Sequence, residues 1–251
     1  MQSIERAAAI LRLLARGSGR LGVGEIAHSL ELAKGTAHGI LRTLQGVGFI
    51  EQDTATGKYQ LGAALLHLGT SYLDVNELRS RAINWADALA ARSGEAVRIG
   101  TPLEGKVLVV HHVFRPDDTL QTLDVGSLLP LHATAMGKVL LSYDADLAAG
   151  VRRLELESFT RQTLVAQPAL SRALAEVRET GWAGEVQEYI AGQASIAAPI
   201  RGHGGLVVGA IGIAGAAERM LDGKGHPEPG LVNYVRDAAR AVSRDLGAAR
   251  W

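Results

Sequence analysis

Residues 23 to 50, VGEIAHSLELAKGTAHGILRTLQGVGFI, constrain the fold more than any other stretch. Glu25, Ile26 and Ala27 with Leu30 predict a short one-sided helix, and Leu32 seals the turn after it. A second helix is expected from Lys34. Its apolar positions Ala37, Ile40, Leu41 and Leu44 follow the i, i+3, i+4, i+7 spacing that places them on one face. The opposite face carries Lys34, Thr36, His38, Gly39, Arg42 and Thr43. Hydroxyl groups there can reach phosphates or base edges, and a guanidinium can hold a phosphate or grip guanine with two bonds. The alternative is a solvated face on an ordinary small helical domain.

The following residues favour the groove-reading alternative. Gly46 and Gly48 end the helix, and Phe49–Gln52 and Lys58–Leu61 predict two strands joined by a turn over Asp53–Gly57. Helix, turn, helix and hairpin in that order make a winged helix-turn-helix, with Lys58 on the wing as a further basic contact. Upstream, Ser3 is placed to cap a helix whose apolar residues Ile4, Ala7, Ala8, Leu11 and Leu14 share a face, and Gly17, Ser18 and Gly19 are expected to stop it.

The chain of 251 residues has room for two domains, with apolar content of 47% for packed cores. Formal charge is balanced, and residues 1 to 72 hold seven Lys or Arg against five Asp or Glu. Electrostatics alone therefore says little about nucleic acid, and the local pattern carries that argument. Absence of cysteine excludes disulfides, cysteine-ligated zinc and thiol catalysis. The amphipathic N-terminus lacks a signal-peptide pattern and no run of about 20 apolar residues is present, so a cytoplasmic protein without a membrane contact is expected.

A connecting helix is expected over 62 to 74, with Leu65, Leu66 and Leu68 available for packing, and a longer one from Asn76 to Arg92. The domain boundary is placed near Leu73, giving a DNA-binding domain over 1–73 and a second domain over 74–251. Beyond it the pattern turns to mixed helix and strand. Strands are predicted at 96–101 and 106–113, around 120–125, and at 193–200 and 206–214, the last two joined by a hairpin at 201–205. Helices are predicted at 131–143, 145–154, 169–180 and 230–246. The fold class is α+β, an antiparallel sheet covered by helices behind a mainly helical first domain.

Four blocks carry a family resemblance: SIERAAAILRLLA at 3–15, the helix-turn-helix with its wing, PLHATAMGKVLL at 130–141, and SIAAPIRGHGGLVVGAIGIAG at 195–215. In this order and spacing they resemble the IclR-type bacterial transcriptional regulators. Within that family AKGTAHGILRTL, SYLDVNELR and HHVFRPDD look like the regulators of actinobacterial glycerol-utilisation operons. The resemblance implies a winged DNA-binding domain, a linker helix that helps dimerise, and a C-terminal effector domain of GAF-like fold. Homodimers, or dimers of dimers, on a palindromic double-stranded operator are implied with it. The pattern departs at Gly39, where relatives commonly have a second basic residue, and at Glu31, where the turn often has glycine.

Position by position, the family's effector pocket falls on Leu129, Ala135, Met136, Glu185, Ser195, Gly212 and Ala214. Helix N–H groups near Ala135, Met136 and Gly137 would receive an anionic head group. Gly212 admits either close ligand approach or tight strand packing. Glu185, by its residues alone an exposed loop charge, would accept hydrogen bonds from ligand hydroxyls. Glycerol 3-phosphate or a short hydroxy acid has the shape that satisfies both ends.

Adjacent His111 and His112 on one strand point to opposite faces and cannot share a metal, although His67, His132, His203 and His226 leave room for a site assembled in space. No G-x-S-x-G elbow, P-loop or dinucleotide fingerprint is present. No catalytic set, cofactor or metal site is expected. The reading is an effector-responsive repressor of a carbon-catabolic operon. Its rivals are a small-molecule enzyme and a partner-binding module on the same fold.

Overall fold

The computed structural model describes residues 3–15, 19–117 and 121–248, without the side chains of 70–75. It divides into two compact units, Met1–Val75 and Asn76–Trp251.

In the first unit, α1 (Ser3–Leu14), α2 (Val23–Ser29) and α3 (Lys34–Gly46) surround a core of Ile10, Leu14, Ile26, Leu41, Leu44, Ile50 and Tyr59. Two expectations for α1 change. Ser3 is the first helical residue instead of its cap, and Ile4 is 82% exposed because the packed stripe runs through Ala7, Ile10, Leu11 and Leu14. Of the expected stop at Gly17, Ser18 and Gly19, the first two lie outside the described residues, and Gly19 stands at φ 68°. Glu25 accepts the N–H of Gly22 at 2.6 Å, satisfying a donor at the start of α2. The turn into α3 puts Glu31 at φ 52°, in the left-handed region that favours glycine, while the Leu32 N–H bonds Ala27 O at 2.8 Å.

The wing is the antiparallel pair β1 (Ile50–Gln52) and β2 (Tyr59–Leu61), with Leu21 bridging to Tyr59 on its other edge. Asp53 builds the turn by accepting the N–H groups of Ala55 and Thr56 at 2.8 and 3.2 Å, and Gly57 follows at φ 69°. Helix α4 spans Ala64–Val75, and its Leu66 and Leu68 are 71% and 52% exposed in place of the packing expected of them.

The second unit begins with α5 (Glu77–Ser93), capped by the Asn76 side chain and ended by Gly94 at φ 70°. Six antiparallel strands follow: β3 (Ala96–Leu103), β4 (Lys106–Val113), β5 (Leu128–Leu129), β6 (Ala183–Val186), β7 (Gln193–Arg201) and β8 (Val207–Ala216). Their order in the sheet is β5-β4-β3-β8-β7-β6. Helices α6 (Ala135–Tyr143), α7 (Ala145–Arg152) and α8 (Gln167–Thr180) cover one face through Met136, Val139, Leu140, Val151, Leu170 and Leu174, packed on Val107, Val109, Ala197 and Ala210. Helix α5 and the last helix, α10 (Pro229–Asp245), pack together and cover the other face; a four-residue α9 (Ala217–Met220) precedes α10.

Three sequence expectations need correction here. The strand expected around 120–125 is absent: residues 121–124 are non-strand, and the paired residues are Leu128 and Leu129. Helix α6 begins at Ala135, not Leu131, because Thr134 is its cap. Edge strand β6 was not anticipated.

Candidate functional site

Two surfaces carry the candidate chemistry. On α3, Lys34, His38, Arg42 and Thr43 are exposed, as is Lys58 on the wing, while Thr36 is half-buried. Ala33 gives the helix no side-chain cap, so the first-turn N–H groups stand open beside Lys34, a favourable end for a phosphate. The Thr43 hydroxyl is already donated to Gly39 O at 3.1 Å, so it remains an acceptor only. Nothing lies within 4 Å of where a Gly39 Cβ would stand, so this glycine leaves a gap in the exposed face.

The second surface is a cavity of about 660 Å³ in the C-terminal unit, within the range of small-molecule sites. All seven residues assigned by the family pattern, Leu129, Ala135, Met136, Glu185, Ser195, Gly212 and Ala214, line it. Sheet register explains how residues so distant in sequence meet. One row across the strands is Ala96, Ala214, Ser195 and Glu185, and the next is His112, Arg98, Gly212, Ala197 and Ala183. Small side chains thus form the middle of the floor, with polar groups toward both ends. An irregularity in the β3–β4 pairing leaves Val110 without a partner, which restores His112 to the face of Val107 and Val109. His111 then faces Arg79 and Asp87 of α5.

At the head of α6, Thr134 Oγ1 donates to Pro130 O at 2.7 Å and accepts the Gly137 N–H at 3.2 Å. Gly137 therefore does not supply a free donor, contrary to expectation. The N–H groups of Ala135 and Met136 stay unpaired among the described residues, at the cavity wall. Gly137 has a packing reason, since a Cβ there would fall 2.2 Å from Leu131 O. The same holds at Gly212, where a Cβ would meet Ile196 O at 2.6 Å and Ala197 Cβ at 2.9 Å, so tight strand packing accounts for it.

Glu185 is no exposed loop charge. It sits on β6 at 4% exposure, and its oxygens are engaged by the protein: Oε1 accepts the N–H of Glu188 at 2.5 Å and of Tyr189 at 3.3 Å, and Oε2 accepts the Ser195 hydroxyl at 2.8 Å. Burial pushes its pKa up, against those hydrogen bonds, which pull it down. The loop it organises supplies Tyr189 and Ile190 to the wall. That loop is fixed from two more sides: Lys138 on α6 pairs with Glu188 at 2.5 Å, and Thr163 donates to Glu188 O at 2.6 Å.

Sequence reading missed Arg98, His112, Asp124 and Tyr189 as lining residues. Arg98 Nε donates to Asp124 Oδ2 at 2.6 Å, and the Asp124 N–H donates to His112 Nδ1 at 3.1 Å. Burial first, and the Arg98 charge second, hold the His112 pKa below the ordinary imidazole value. An arginine at an inward position of a strand otherwise lined by small residues was the available signal. Among the described residues no group of three His, Asp or Glu is placed to hold a metal, and no helix is long and apolar enough to cross a membrane.

Family comparison covers both units. Residues 3–54 match the IclR helix-turn-helix domain, and residues 70–244 match the C-terminal domain of IclR-type bacterial transcriptional regulators. The glycerol operon regulatory protein of Streptomyces coelicolor is 55% identical, the alignment covering 100% of this chain and 98% of that one. Among solved structures, an IclR regulator from Alicyclobacillus acidocaldarius matches at TM-score 0.84 and 26% identity over 98% of each chain. An IclR homologue from Microbacterium hydrocarbonoxydans complexed with 4-hydroxybenzoate shares the fold at TM-score 0.80 and 22% identity, covering 99% of this chain and 100% of that one. Winged domain, cavity-bearing second domain and full-length similarity converge: this chain is a DNA-binding transcriptional regulator and belongs to the IclR family.

Proposed function

We propose that the protein represses a glycerol-utilisation operon in the cytoplasm, as a homodimer or dimer of dimers on a palindromic operator, and is released by a small polar metabolite, without catalysis. The observation that carries the ligand part is the joining of all seven family-pattern residues in one cavity, with the unpaired N–H groups of Ala135 and Met136 at its wall. Similarity to the Streptomyces relative supports the operon. The exposed Leu66 and Leu68 on α4 support a dimer, since apolar side chains on a linker helix favour a second copy over water.

In this reading Lys34, His38, Arg42 and Lys58 contact DNA, with Thr36 and Thr43 at the margins of the contact. The ligand is glycerol 3-phosphate or a short hydroxy acid. Its anionic end meets the α6 N-terminus, and its hydroxyl end donates to Ser195 Oγ, which Glu185 holds in orientation. Two recognition helices must meet half-sites about 34 Å apart, so a modest change in their placement weakens both. A gel-shift titration of the protein on its own promoter DNA tests this. Addition of glycerol 3-phosphate or glycerate should release the DNA; retention at saturating concentrations of both would reject the pathway.

A further inference from the structure

We infer that Arg98 is the residue by which the cavity recognises the charge of its ligand, taking an oxyanion on the terminal nitrogens of its guanidinium. The inference rests on the effector reading above and adds, to the α6 N–H groups that meet the same anionic end, a side-chain contact that the family pattern does not assign; Met136 lies 3.3 Å from the Cβ position of Gly100, two residues along β3 from Arg98. Among the described residues, Arg98 is the one arginine or lysine lining the cavity. Its side chain is 24% exposed, enough to be reached and enough buried for its interactions to be only partly screened by water.

Geometry distinguishes it from a purely structural arginine. Elsewhere in the same unit Arg219 closes on the buried Glu95 with two bonds, Nε to Oε1 at 2.6 Å and a terminal nitrogen to Oε2 at 2.9 Å. Arg98 makes one bond to a side chain, from Nε to Asp124 at 2.6 Å. A guanidinium has five N–H donors, so the terminal edge remains for a second acceptor. Asp124 therefore acts as an anchor that orients the fork, and its own position is fixed by the N–H bond to His112 Nδ1.

Neighbouring floor positions leave the required space. Gly212 stands directly beside Arg98 in the register, and Ala197 and Ala183 follow on the same row, so on that side no long side chain competes for the guanidinium; on the other side His112 accepts the Asp124 N–H. The other acid of the lining, Glu185, is three strands away, roughly 14 Å at about 4.8 Å per strand, and its oxygens are bonded to protein donors. Its repulsion of an anion at Arg98 is correspondingly weak. The planar fork suits a carboxylate or phosphate held through two oxygens. The ligand class is therefore a small hydroxylated anion, and the uncharged polyol of the same frame is the ligand that Arg98 discriminates against.

Calorimetry on the full chain with glycerol 3-phosphate, glycerate and glycerol tests this, because the three share one carbon frame and differ in charge. Wild type should bind both anions more tightly than glycerol. Arg98→Gln should lower anion affinity about 10- to 100-fold, the worth of a charge-assisted pair of bonds, and leave glycerol unchanged. Arg98→Lys should fall between, since it keeps the charge and loses the fork; it also carries the test if the glutamine variant fails to fold. A folded variant with unchanged anion preference would overturn the assignment. Wild type binding glycerol as well as the anions would also overturn it while leaving the effector reading intact. Wild type binding none of the three, with DNA affinity unmoved by them, would overturn that reading as well.

Discussion

Removal of the Glu185 carboxylate separates two roles for this residue, ligand contact and organiser of the cavity wall. In Glu185→Ala the N–H groups of Glu188 and Tyr189 and the Ser195 hydroxyl all lose their acceptor. A buried unsatisfied polar group costs about 1 to 3 kcal/mol. Water entering the cavity recovers part of that, and the burial that raises the Glu185 pKa shows that removing the charge also brings some relief. The net loss should be about 2 to 4 kcal/mol. For a unit of this size that lowers the melting temperature by roughly 4 to 16 °C. Glu185→Gln keeps an acceptor for the two N–H groups and should lose about 1 kcal/mol or less while retaining ligand affinity. Differential scanning calorimetry, with ligand titration on the same samples, measures both quantities. An alanine variant as stable as wild type but deficient in ligand binding would refute the organising role and return Glu185 to direct contact.

Arg42→Ala should reduce operator affinity and lower the salt slope by about one if it contacts phosphate; a loss of about 1 to 3 kcal/mol confined to sites with one particular base would identify guanine readout, and unchanged affinity would remove it from the interface. Two glycine substitutions should have opposite signs in thermal unfolding: Gly39→Ala, in open space on a helix, should stabilise by about 0.5 to 1 kcal/mol, whereas Gly212→Ala should destabilise by about 1 to 3 kcal/mol because its Cβ meets the backbone of β7. His111 and His112 both have pKa values depressed chiefly by burial. The unfolded chain then binds more protons than the native one just below the ordinary imidazole value, so the stability of the C-terminal unit should be fully present above about pH 6.5 and decline as the pH falls. A double asparagine variant that kept the full decline would exclude them as its source.

Local periodicity made the winged domain legible, because α2, α3 and the hairpin each bury residues at fixed short spacings, and Ala37, Leu41 and Leu44 are buried as that spacing requires. Ile4 misled because an apolar residue at the right phase is buried only where the core extends to meet it. In the C-terminal unit the long strands β3, β4, β7 and β8 were readable from β-rich runs. The two-residue β5 and the four-residue β6, with a glycine in AGEV, are too short to show a period and exist through pairing with neighbours. The seven pattern residues were traceable because they lie in sequence blocks. Arg98 and Asp124, 26 residues apart and joined by one side-chain bond, depend on a register that no local spacing encodes.

Reciprocal linkage measures directly whether occupancy of the C-terminal cavity sets the affinity of the winged domain for DNA. Operator affinity is measured with and without saturating ligand, and ligand affinity with and without saturating operator. Each should lower the other's affinity by the same factor, between about 5- and 150-fold. Ligand bound in the cavity with both factors equal to one would contradict it.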